Sequence, residues 1–103
     1  MATARSGQIT VTTAGTAVVG PNTGPGTFVL KPVSANSGTY MYVGNDGSDD
    51  VASGTGFDLK KDLDKIMLTV SNLNQWYFDT DTNGDKMSYI KVLGDHGLNP
   101  PAL

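Results

Sequence analysis

The chain has 103 residues, 38 % of them hydrophobic and 17 % charged, with 13 glycines, no cysteine and a formal net charge of −3. That length supports one domain around one modest core, and the acidic balance gives nucleic-acid binding no electrostatic support. Neither disulfides nor thiolate metal sites are available; the opening Met1-Ala2-Thr3-Ala4-Arg5-Ser6-Gly7 lacks the apolar stretch of a secretory signal, and no apolar run approaches the roughly 20 residues of a membrane span.

The abundance of Gly, Thr, Ser and Asn predicts short strands joined by many turns. Residues 1–7 are small and polar and are expected to be a flexible arm that orders against a partner. Gln8 to Val11 and Thr16 to Val19 read as strands, with Ala14-Gly15 as the turn between them. Gly20-Pro21-Asn22-Thr23-Gly24-Pro25-Gly26 reads as a mobile connection, because it lacks the Lys and following helix of a phosphate cradle. Thr27 to Val33 is the next strand, and Pro32 predicts an edge or a bulge at its end.

After a turn at Ser34–Gly38, Thr39 to Val43 forms a strand with Tyr40 and Tyr42 on one face and Met41 and Val43 on the other. Alternation does not say which pair faces inward; the tyrosine pair is expected in the core or a subunit contact, because aromatics dominate both. The connection from Gly44 to Gly56 is long and acidic, with Asp46, Asp49 and Asp50, and is expected as a solvated loop. Phe57 and Leu59 give a brief strand.

Leu59, Leu63, Ile66, Met67 and Val70 fall at helical spacing, yet Ile66 to Val70 alone is a compact strand-length run. The residues alone leave both readings open. Asn72 and Asn74 mark a turn, and Trp76 is expected as a core anchor. Gln75 to Asp79 and Lys86 to Leu93 are expected to pair as a hairpin through Thr82-Asn83-Gly84-Asp85, since Asn-Gly is a favoured hairpin connection. Residues 94–103 form a tail that Pro100-Pro101 holds extended. That count and spacing suit a β-sandwich or a small barrel; the fold expected is an all-β, single-domain β-sandwich of seven to eight short antiparallel strands over residues 8–93.

Little in this pattern suits catalysis. His96 is the single histidine, and its neighbour Asp95 is not placed to orient it as a general base. An enzyme is therefore not expected. One metal motif merits weighing. Asp79-Thr80-Asp81-Thr82-Asn83-Gly84 matches the first half of a calcium loop, with Asp79, Asp81, Asn83 and Asp85 as candidate ligands, but position twelve is Ile90 where a bidentate Glu belongs. These residue types also suit a turn whose side chains bind its own backbone. The expectation is no cofactor, with calcium as the alternative.

Three stretches carry a resemblance. Gly38-Thr39-Tyr40-Met41-Tyr42-Val43-Gly44, then Gly56-Phe57-Asp58-Leu59, then Asp81-Thr82-Asn83-Gly84-Asp85-Lys86-Met87-Ser88-Tyr89 resemble, in this order, the small β-sandwich virion proteins of tailed bacteriophages. The resemblance spans residues 8–93 and rests on short motifs of common turn residues. It favours a turn at Lys60–Asp64 followed by a strand, and it implies a structural protein of the particle, of the capsid decoration (cement) type. Such proteins sit on the outer shell as homotrimers, and the implied partners are the major capsid protein and further copies of the chain. Localisation would be the virion, after synthesis in the host cytoplasm, with no nucleic-acid or membrane partner.

The arm and tail are the expected contact pieces, through Thr3, Arg5, Gln8, Leu98, Pro100 and Leu103, since arms that order on binding cover much surface. The acidic loop and the tail depart from the shared pattern, which leaves the contact mode open. The alternatives are a tail, neck or fibre component, or a carbohydrate- or calcium-binding surface module using exposed Tyr40, Tyr42 or Trp76.

Overall fold

A computed structural model describes residues 6–45, 51 and 55–93. They form eight strands: β1 (Ser6–Thr10), β2 (Val18–Val19), β3 (Gly26–Pro32), β4 (Tyr40–Gly44), β5 (Phe57–Lys60), β6 (Ile66–Val70), β7 (Tyr77–Thr80) and β8 (Lys86–Leu93), with a 3₁₀ turn at Leu73–Gln75. The strands make two antiparallel four-stranded sheets, sheet A in the order β1-β8-β3-β6 and sheet B in the order β2-β7-β4-β5. The chain is an all-β sandwich. The Ile66–Val70 run is a strand, as its β-branched composition favours, and β1 begins at Ser6, two residues ahead of the expected start.

Each strand buries alternate residues against the facing sheet. From sheet A come Ile9, Phe28, Leu30, Met87 and Tyr89, and from sheet B come Met41, Val43, Leu59 and Phe78; Val11 and Leu73 enter from connections. Full burial of one such side chain is worth about 1.5–3 kcal/mol. Phe28 and Tyr89 meet edge to face with centroids 6.1 Å apart. Lys91 also lies on this inner face, its ammonium 5.6 Å from the Phe28 ring centroid. A buried lysine stem on an aromatic face keeps its apolar carbons in the core.

Two expectations are corrected here. Strands β7 and β8 are not a hairpin: β7 pairs with β2 and β4 in sheet B, while β8 pairs with β1 and β3 in sheet A. The Asp81–Asp85 connection therefore crosses between sheets, and only β4 and β5 are consecutive strands of one sheet. Asn-Gly supplies the tight reversal either way, with Gly84 at φ 85°, and the local sequence does not say whether the returning strand pairs or crosses. The second correction concerns the core reading of the tyrosine pair and leaves the subunit-contact reading untouched. Met41 and Val43 point into the core, so Tyr40 and Tyr42 point outward from sheet B.

Pro32 does end β3, past the last residue that β6 pairs. There its missing N–H costs no ladder bond on that side.

Candidate functional site

The side chains of the Asp79–Asp85 turn reach three different parts of the fold. The Asp79 carboxylate accepts from Gly15 N at 3.0 Å and Thr80 N at 2.7 Å. Asn83 Oδ1 accepts from Ala14 N at 2.7 Å. The Asp85 carboxylate accepts from Ser37 N at 3.0 Å and Gly38 N at 2.9 Å. Asp81 Oδ2 accepts from the Tyr42 hydroxyl at 2.7 Å. The four calcium candidates thus hold the β1–β2 connection, the β3–β4 connection and strand β4. Among the described residues, no three His, Asp or Glu side chains converge as a metal-ligand group.

The backbone continues this knot. Gly84 N donates to Val11 O at 2.8 Å and Val11 N to Asp85 O at 2.9 Å. Asn36 completes it by acting as a substitute strand: its Nδ2 donates to Lys86 O and its Oδ1 accepts from Lys86 N, both at 2.8 Å. Sequence reasoning missed Asn36, whose only signal was its place in a Ser/Asn-rich turn.

Tyr42 is 5 % exposed although it points outward. Its pKa is pushed up to about 12, first by burial, then by the bond to Asp81 and by the negative charges of Asp81 and Asp58. Burial also raises the Tyr89 hydroxyl.

A second knot sits at the other end of β7. Gly20 N donates to Trp76 O at 3.0 Å, Thr23 N to Asn72 Oδ1 at 3.1 Å, and Leu73 N to Thr23 Oγ1 at 3.1 Å. The Gly20–Gly26 stretch, expected as a mobile connection, is thus tied to the 3₁₀ turn. Gly20 is required there because an added Cβ would collide with the Leu73 carbonyl oxygen. No buried side-chain nitrogen or oxygen of the described residues lacks a partner.

The two outer faces differ. On sheet B the outward residues include Tyr40 and Lys60 in one row and Asp58, Tyr42 and Asp79 in the next. On sheet A, strand register aligns Ser6, Ile90, Val29 and Met67 in one row across all four strands. Ile90 is 53 % and Met67 64 % exposed, so the row is an apolar stripe open to solvent. Beside it a shallow groove of about 370 Å³ is lined by Gln8, Val29, Lys31 and Ile90, among others.

Of the expected contact residues, Gln8 stands in β1 with its side chain on this same outer face. Thr3, Arg5, Leu98, Pro100 and Leu103 lie outside the described residues, as do Asp46, Asp49, Asp50, Asp95 and His96. Residues 1–5 join β1, and residues 94–103 leave β8, at the same end of sheet A, because Ser6 pairs with Ile90. Trp76 is half-buried at the margin of the core. No helix of the described residues is long and apolar enough to cross a membrane.

No family model, curated protein or solved structure matches this chain.

Proposed function

We propose that this chain is a structural protein of a bacteriophage particle: a capsid decoration protein that binds the outer shell as a homo-oligomer and stabilises it. The observation that carries the reading is the exposed row Ile90–Val29–Met67 on sheet A, with both terminal segments joining the sandwich beside it. An apolar stripe flanked by two arms suits attachment to a broad protein surface. A protein that binds only the assembled shell stabilises that shell by its binding free energy. The motif resemblance points the same way, and its first and third stretches are in contact, since Asp85 accepts from Gly38 N.

The virion-tail alternative uses the same surfaces and differs only in location. A carbohydrate-binding module is less well supported, because Tyr42 is buried with its hydroxyl bound to Asp81, which leaves Tyr40, 36 % exposed, without a second open ring on that strand.

The test is co-sedimentation of the purified chain with undecorated shells, together with the melting temperature of those shells. Saturable binding and a raised shell melting temperature support the reading. Removing residues 1–5, and not the β1 residues that follow, is expected to weaken binding while leaving the domain folded. Full binding by that truncated chain would refute the role given to the arm.

A further inference from the structure

The two sheets end differently at their edges. Sheet B closes on one side with β2, two residues long, and on the other with β5, four residues that include Asp58 and Lys60. Short or charged edges are how sheets avoid pairing with other chains. Sheet A ends in β1 and β6, each five residues long, and neither contains a charge or a proline; among the described residues each is paired on one side only. Among the described residues, two open edges of equal length thus belong to one sheet.

Among the described residues, the surroundings of β6 are also sparse. Its inward residues Ile66 and Leu68 are only half-buried, and across the sandwich margin Phe57 is 58 % exposed. These three, with Trp76 and others, line a cleft of about 310 Å³. A strand laid along β6 would pair its free backbone groups and cover part of that margin.

We propose that copies of this chain join edge to edge, with β6 of one pairing antiparallel to β1 of the next. This rests on the homo-oligomeric reading above and names the surface that makes the oligomer. Strand direction alternates across sheet A, so β1 and β6 run oppositely. A neighbour rotated about an axis along the strands therefore presents β1 antiparallel to β6. Side-chain alternation then sets Gln8 opposite Met67 or Thr69, all on the outer face. Because the contact uses two different edges it is heterologous, and it closes as a ring when the rotation per copy allows.

The chain has no cysteine, so single-cysteine variants give an unambiguous reading. Full-length Gln8→Cys and Met67→Cys are prepared separately, mixed and treated with a short thiol-to-thiol cross-linker, alone and on shells. The proposal predicts cross-linking between the two variants and little within either alone. It also predicts that Met67→Lys lowers self-association at least tenfold, as a lysine on an edge does, with the circular dichroism spectrum unchanged. Cross-linking of Met67→Cys to itself alone would show β6 pairing with β6 and overturn the proposal. So would an oligomer without the mixed cross-link. A chain that stays monomeric yet binds shells overturns edge pairing and leaves the decoration reading standing, whereas a cross-linked oligomer that ignores shells does the reverse.

Discussion

The Asp85 carboxylate accepts a 2.9 Å hydrogen bond from the backbone of Gly38, across 47 positions of sequence. This contact locks the turn between the sheets onto the entry of β4, so the first and third stretches of the resemblance are parts of one joint. Asp85 is 4 % exposed, and its other oxygen holds Ser37 N. Replacing Asp85 with Ala strands two amide donors. Bonds to a charged acceptor contribute about 1.5–3 kcal/mol, and the expected loss is about 2–3 kcal/mol, a fall in Tm of roughly 10 °C or more for a domain of this size. Urea or thermal unfolding measures it, and a loss below about 0.5 kcal/mol would remove the joint from the account.

Gly38 and Gly20 test the same packing from the backbone side. A Cβ on Gly38 would sit 2.6 Å from Thr82 Oγ1 and 2.8 Å from Asp85 Oδ2, both side-chain atoms with some freedom to move. A Cβ on Gly20 would meet the Leu73 carbonyl oxygen, which is backbone. Gly15, at φ 86°, has nothing within 4 Å. Substitution by Ala should therefore cost most at Gly20, about 3 kcal/mol or more, less at Gly38, and about 1 kcal/mol at Gly15 from left-handed backbone strain alone. Equal costs at Gly20 and Gly15 would contradict the knot at the 3₁₀ turn.

How much of this was legible in advance varies by element. At Ile66–Val70 the residues left helix and strand open and the motif resemblance favoured the strand, while strand spacing and turn density pointed to a sandwich or small barrel. The outward direction of Tyr40 and Tyr42 was not legible. Both alternating sets in Thr39–Val43 are large and apolar enough to fill a core, and only the register against β5 and β7 decides between them. The β7–β8 connection misled for a related reason: an Asn-Gly reversal has the same local chemistry whether the chain pairs with itself or crosses to the other sheet. Asn36 and Asp85 act through partners 47 to 50 residues away, which no local pattern reveals.

Tyr42 gives a prediction in pH. Its folded pKa, about 12, lies above the ordinary tyrosine value of 10.0, so the neutral hydroxyl is favoured by folding. That stability is fully present below about pH 10 and is lost as pH rises from there through the folded value. Tyr42→Phe should lose about 1 kcal/mol at neutral pH with its bond to Asp81. Its stability should then fall less steeply above pH 10, with a residual slope from Tyr89, whose pKa burial also raises. Identical alkaline slopes for the two proteins would contradict the Tyr42–Asp81 contact.

Calcium offers a further test. The side chains of Asp79, Asp81, Asn83 and Asp85 already accept from protein donors in two connections and one strand. Gathering them around one ion would break these bonds. The expected Tm in millimolar calcium therefore equals that in chelator, and a rise of several degrees that disappears in Asp79→Asn would restore the metal reading.

The most direct test of the functional account is an electron cryomicroscopy map of the intact particle that carries this chain. The account predicts density for an eight-stranded sandwich on the outside of the capsid, with the Ile90–Val29–Met67 face and the terminal segments turned toward neighbouring protein. The same density in the tail, neck or fibre, or a particle without it, would contradict the account.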